Sequence, residues 1–257
     1  MTLSYVISGF AVGALVGLTG VGGGSLMTPL LTLLFGVSPT VAVGTDLAFA
    51  SITKGAGTLA HRFRRTVHWD IVRHLCYGAL PAAVLAALAL KHFGVLDQEI
   101  GQIIRYSIAG SVLLTVFALL FRGRMQAWVK AHPEKQLQGA KLTAMTIVVG
   151  AVLGTLVTVS SIGAGAIGAT ILVLLYPRLS PAEIAGTDIA YAVPLTAIAA
   201  FGHWWLGSIN WELLGALLLG SVPGITIGSL AARAVPEKIL RGLLATTLTG
   251  VAAKLVF

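Results

Sequence analysis

Three charged residues sit where charge is costly. Asp46 and Asp188 lie inside apolar runs, in the fragments "GTDLAFA" and "GTDIAYA", and Lys54 follows Asp46 in "ASITKGAG". An ionised side chain in an apolar medium persists when it meets a counter-charge, a ligand or a water-filled cavity. Lys54 is therefore read as an anion contact or as the partner of Asp46, with snorkelling to an interface as the alternative. Asp46 and Asp188 are read either as acids beside a site or on a proton path, or as helix-start residues near an interface. Ser38-Pro39 and Ser180-Pro181 stand shortly before them, so helix starts are close. Thr45 and Thr187, each next to an acid, either satisfy backbone groups or touch a substrate.

Two glycine clusters carry the second kind of chemistry. "GVGGGS" contains Gly22, Gly23, Gly24 and Ser25, and "SIGAGA" contains Ser161, Gly163 and Gly165. Each interrupts an apolar segment. Irregular backbone inside a membrane is tolerated only against protein or a water-filled cavity. The free N–H groups at the start of a half-helix favour anions. Glycine also lets a ligand approach the backbone, and the serines add hydroxyl donors. The competing reading is close helix packing by small residues. A phosphate-binding loop is excluded, because no Lys-Ser/Thr pair follows the glycines and no strand precedes them.

His61 and His203 stand near helix ends. A proton-coupling role is open to them, and the plainer reading is an interfacial histidine bonded to a loop. Trp69 and Trp211 fit an aromatic interface belt. Pro81 and Pro223 fit helix kinks. Cys76, the one cysteine, excludes an intrachain disulfide and is read as a packing residue.

The elements that must hold these residues are membrane helices. Of 257 residues, 56% are hydrophobic and 10% charged, and the mean hydropathy is +0.92. A soluble domain carries about 25% charged residues, so too few remain here to cover a globule in water. The net charge of +8 then means basic loops rather than nucleic-acid binding. The first ten residues, "MTLSYVISGF", lack a basic head and are not read as a cleaved signal peptide. Apolar runs cover Leu3 to Phe35 with the glycine break inside, then Val41 to Phe63, Ile71 to Leu90 and Ile103 to Phe121. After a polar stretch they resume over Leu142 to Tyr176 with the second break, then Ile184 to Leu206, Trp211 to Ala232 and Ile239 to Phe257.

The second set repeats the first. "SPTVAVGTDLAFA" aligns with "SPAEIAGTDIAYA", and the same register pairs His61 with His203, Trp69 with Trp211, Gly78 with Gly220 and Pro81 with Pro223. One residue of adjustment then aligns the two glycine breaks. The chain is thus two duplicated halves, residues 1–121 and 142–257, joined by a cytoplasmic linker, residues 122–141. Arg62, Arg64, Arg65, Arg122, Arg124, Lys130 and Lys135 mark one side in the first half. Placing Arg178 and Arg233 on that side requires the second half to be inverted. Inversion follows if each glycine-broken segment enters and returns; if it crosses once, the repeats are parallel. The expected fold is an all-α polytopic bundle of two inverted repeats with short broken helices, about eight to ten membrane segments in all.

These motifs resemble the sulfite exporter TauE/SafE family of membrane permeases. The resemblance rests on "GVGGGSLMTPLL", "GTDLAFASITKGAGTLAHRFRRTVHWDIV" and "GTDIAYAVPLTAIAAFGHWWLGSINWELL" and covers both halves. The second break, "SIGAGA", has less glycine than the family pattern often shows, so the half-sites are expected to be unequal. The resemblance implies a secondary transporter for sulfur-containing anions such as sulfite or organosulfonates, in the cell inner membrane. The substrate contacts are then expected among the two glycine breaks, Thr45, Lys54 and Thr187, with coupling at Asp46, Asp188, His61 and His203. The partners are a small anion and the lipid bilayer, with room for a homo-oligomer. No cofactor or metal is expected. An anion channel is the alternative, distinguished by far higher flux and no counterflow. An enzyme is not expected, since no nucleophile-base or metal constellation stands in the spans.

Overall fold

The computed structural model describes residues 2–19, 24–63, 66–93, 98–132, 134 and 136–231, with isolated helical positions at 242, 246, 249 and 250. Within them the chain forms α1 (Thr2–Thr19), α2 (Gly24–Leu34), α3 (Pro39–Phe63), α4 (Trp69–His92), α5 (Gln98–Ala131), α6 (Gly139–Ser160), α7 (Ala166–Leu175), α8 (Pro181–Trp205) and α9 (Trp211–Ala231). No strand occurs among the described residues. Five helices (α4, α5, α6, α8 and α9) are long and apolar enough to cross a bilayer. The chain is an all-α, multi-pass membrane protein.

Local sequence explains the ends that matter. α8 opens with a capping box: the Ser180 hydroxyl accepts from Glu183 N–H, and the Glu183 carboxylate accepts from Ser180 N–H. Pro181 follows at the first helical position, where its missing N–H costs nothing. Pro39 opens α3 in the same way. The two broken segments leave short second pieces, α2 of 11 residues and α7 of 10. At 1.5 Å per residue each is about 15 to 17 Å long, roughly half the hydrocarbon core. α5 runs past Phe121 to Ala131, so helix continues into the expected linker. Good helix formers occupy "RMQAWVKA", and the first strong breaker is the His132-Pro133 pair.

The halves are interleaved. α1 packs along α9, α6 along α4, and α3 beside α8. Contacts recur in matched pairs. A Cβ added at Gly78 would strike the carbonyl of Ile147; one added at its mate Gly220 would strike that of Val6. Backbones approach this closely only because both positions are glycine, the usual solution between membrane helices. Two hydrogen bonds match likewise: Asn210 N–H donates to the Thr45 hydroxyl at 3.1 Å, and His68 N–H to the Thr187 hydroxyl at 3.1 Å. His68 heads α4. Asn210 heads α9, accepting from Leu213 N–H at its side chain and from Leu214 N–H at its carbonyl.

Candidate functional site

The second glycine break is the centre of a closed polar cluster. α6 ends at Ser161, which is left-handed (φ 59°), and Gly163 and Gly165 take φ 136° and 137°. Those two values suit glycine alone. The chain can therefore stop one helix, expose its carbonyls and begin α7 within a few residues. Ser160 holds the turn: its hydroxyl donates to Leu156 O at 2.7 Å and accepts from Ile162 N–H at 3.2 Å.

Lys54 reaches this break from α3. Its ammonium donates to the Ala164 carbonyl at 2.9 Å, and the residue is 7% exposed. The lysine therefore does not snorkel to an interface. It acts electrostatically on both Asp188 and Asp46. Among the described residues neither carboxylate closes a direct ion pair with it. The ammonium thus has donors beyond the one Ala164 takes.

Asp46 lies by Ser161 at the first end of the break and Asp188 by Gly165 at its second. Asp46, fully buried, accepts from the Thr28 hydroxyl of α2 at 2.5 Å. Its other oxygen, Oδ1, has no hydrogen-bond partner, and neither has Oγ of Ser161. Asp188, 3% exposed, lies beside the Gly165 backbone N–H at the start of α7. Its Oδ1 is also without a partner, as is the fully buried Oη of Tyr191, three residues on along α8. Buried polar groups are nearly always paired, yet four of the five buried side-chain atoms without a partner among the described residues belong to this cluster, the Ser161 hydroxyl lying next to Asp46 itself. Their natural complement is a small polar ligand or water.

The remaining expected site residues divide clearly. Thr45 and Thr187 accept with their hydroxyl oxygens from the backbone at the heads of α9 and α4, in the other half of the chain. His203 is fully buried, and both ring nitrogens are engaged: Nε2 with the Thr158 carbonyl at 2.9 Å, Nδ1 with the Ser208 hydroxyl at 2.9 Å. Nε2 faces an acceptor and must carry a proton, while the Ser208 hydroxyl donates to the His203 carbonyl at 2.9 Å as well as touching Nδ1. The histidine ties the end of α8 to α6. Gly24 begins α2. Gly22 and Gly23 lie outside the described residues, as do the side chains of Ser25 and His61.

Thr28, Tyr191 and Arg122 were not anticipated. Tyr191 had a signal, since i and i+3 positions share a helix face and Asp188 is its i−3 neighbour. Thr28 had a weaker one, one turn into the half-helix after the first break. Arg122, half-buried on α5, acts electrostatically on Asp188, although its place in the sequence suggests only a topology signal. A cavity of about 330 Å³, lined by Gln136, Gly139, Leu142, Tyr176 and Arg178 among others, lies at the linker and contains none of these residues.

Residues 5–255 match the family described as sulfite exporter TauE/SafE. The chain belongs to that family. It is 37% identical over 229 residues to a probable membrane transporter protein, YjnA, of Bacillus subtilis, covering 89% of each chain. A probable membrane transporter protein of Xylella fastidiosa is 30% identical over 252 residues, 90% of this chain and 87% of that one. A second B. subtilis protein, the probable membrane transporter YdhB, is 25% identical over 241 residues, 93% of each. No solved structure matches the chain. This TauE/SafE member is a membrane transporter.

Proposed function

We propose that this transporter moves small sulfur-containing anions, such as sulfite or organosulfonates, across the cell inner membrane by alternating access, with protons as the coupling ion. One observation carries the reading: a buried lysine faces the glycine break between the full-length α6 and the half-helix α7, with unsatisfied hydroxyls around it. A cation with donors to spare, a helix N-terminus and free hydroxyls form an anion site. The family's description as sulfite exporters supports the choice of anion. No enzymatic role is part of this reading, and the cargo and lipid are its partners; a homo-oligomer is compatible with it.

Inverted halves are part of the proposal. α3 ends at Phe63 and α4 begins at Trp69; residues 206–210 join α8 to α9. Thr45, in the second turn of α3, meets the head of α9; Thr187, in the second turn of α8, meets the head of α4. Each of the two long central helices then starts where the other ends. Rocking one half against the other about the cluster would expose it to each side in turn.

Proton coupling follows from charge. Asp46, Asp188, Lys54 and Arg122 together sum to zero when ionised, and an added anion would make the sum negative. Uptake of a proton with each anion relieves this. The test is thermal unfolding of the purified protein with sulfite, sulfoacetate, taurine, sulfate or chloride, with Lys54→Ala alongside. Stabilisation by a sulfur oxyanion that the variant loses is the expected result. No stabilisation by any of them would overturn the substrate class. In liposomes, flux that ignores an imposed pH gradient would overturn the coupling.

A further inference from the structure

Two of the unsatisfied atoms stand together at one place. A Cβ added to Gly168, in the first turn of α7, would collide with Asp188 Oδ1 and come within 3.1 Å of Tyr191 Oη. Both oxygens therefore crowd the bare backbone where α7 begins, and both are buried without a partner. The Gly165 N–H lies beside the same carboxylate. The α7 N-terminus, which ought to attract an external anion, faces the protein's own acid.

The duplication supplies an internal control. The mate of Tyr191 is Phe49, also buried at 2% exposure. Packing at this position is met by the ring alone, so the hydroxyl of Tyr191 is an addition confined to the second half. A buried hydroxyl with no partner costs about 1 to 3 kcal/mol, and shape does not require it.

We propose that Asp188 and Tyr191 form a proton-gated clamp for the oxyanion of the substrate at the start of α7. With a proton on Asp188, its carboxyl O–H and the Tyr191 O–H both donate to the substrate's oxygens, beside the Gly165 N–H. When Asp188 releases that proton to water, the carboxylate becomes the anion at the start of α7 and repels the cargo. Tyr191 keeps its own proton throughout. The groups facing the pair are Lys54 from α3, Arg122 from α5 and Cys76 from α4. The break and α7 contribute Gly165 and Gly168, which offer only backbone. The two cations hold the substrate's charge in either state, so the proton on Asp188 is the variable element. The clamp rests on the anion-transport reading and adds to it which acid takes the proton and which hydroxyl reads it.

The experiment is anion affinity against pH, from about pH 5 to about pH 8. The probe is whichever of sulfite, sulfoacetate, taurine, sulfate or chloride stabilises the wild type most. Wild-type affinity for it is expected to fall by up to about tenfold per pH unit at the upper end. Asp188→Asn keeps a donor without a titrating proton. It is expected to bind at high pH about as well as the wild type binds at low pH, with a flat profile. Tyr191→Phe is expected to bind about ten- to a hundred-fold more weakly at low pH while folding normally, as Phe49 does in the other half. Phe49→Tyr should leave affinity unchanged. A sloping Asp188→Asn profile, or a Tyr191→Phe affinity equal to wild type, overturns the clamp alone. If no probe stabilises the wild type, the anion reading fails first and the clamp falls with it.

Discussion

The two halves share a scaffold and differ in its chemistry. Asp46 and Asp188 are mates in the repeat, and so are Thr45 and Thr187, with the same bond to the head of a helix in the other half. The glycines that let helices touch are paired as well. What is not paired is the cation and the hydroxyls around the acids. Lys54 stands where the second half has Thr196, and Tyr191 where the first half has Phe49. Thr28, the donor to Asp46, aligns with Ala169. The aligned positions thus carry an acid in each half, whereas the cation stands on α3 alone and the phenol on α8 alone. With the halves interleaved, these single copies converge on one break.

The largest effect expected from breaking this asymmetry is at Lys54. Lys54→Thr gives the first half the residue of the second. It removes the cation and leaves the Ala164 carbonyl without its donor. Uptake of labelled sulfite into proteoliposomes should fall to the level of empty vesicles, with protein still inserted. Transport that persists at a tenth or more of the wild-type rate would move the anion site away from the second break.

Next in size is the space at α7. Gly168→Ala drives a methyl into Asp188 Oδ1, whereas Gly55→Ala, on α3 next to Lys54, meets nothing within 4 Å. The first is expected to cost about 1 to 3 kcal/mol of stability and the second to gain up to about 1 kcal/mol, as replacing a mid-helix glycine does. Unfolding midpoints in detergent would compare them. Equal midpoints would mean that Asp188 can move aside, and the crowding at the start of α7 would lose its meaning.

Much of this arrangement could be read from the residues, and the part that could not has a physical cause. The duplication, both breaks and the three charges are visible because each violates the pattern of its surroundings: a glycine run or an ion inside apolar sequence. Tyr191 and Thr28 violate nothing. A tyrosine or threonine is ordinary in a membrane helix, and only the packing of α2, α3, α7 and α8 reveals that their hydroxyls meet acids. The roles of Thr45 and His203 were hidden for the same reason. Whether a hydroxyl or a ring faces a ligand or a neighbouring helix depends on rotation about the axis, set by contacts with the other half. Arg122 was obscured by the length of α5, which carries helix beyond the apolar run that a hydropathy reading ends at Phe121.

A smaller effect separates coupling from architecture at the buried histidine. His203→Gln keeps a donor for the Thr158 carbonyl and alters the contact with Ser208. If the ring serves only to tie α8 to α6, the variant should lose about 1 kcal/mol of stability and keep the wild-type dependence of uptake on pH. A flattened profile, matching that of Asp188→Asn, would return His203 to the proton path.

The smallest effects test the part of the comparison that is symmetric. Thr45→Val and Thr187→Val each remove the acceptor for the backbone N–H at the head of a helix in the other half. Each should lower stability by about 1 kcal/mol, and because the two bonds have the same length and the same place in the repeat, the losses should be alike. Sulfite affinity should be unaltered in both, since both hydroxyls already serve the backbone. If Thr45→Val weakened binding and Thr187→Val did not, the first half would carry a ligand contact that the closed state conceals. The asymmetry would then extend from Lys54 and Tyr191 to the threonines that join the halves. If the losses match, those threonines form a two-fold frame, and the differences between the halves are confined to the residues around the second glycine break.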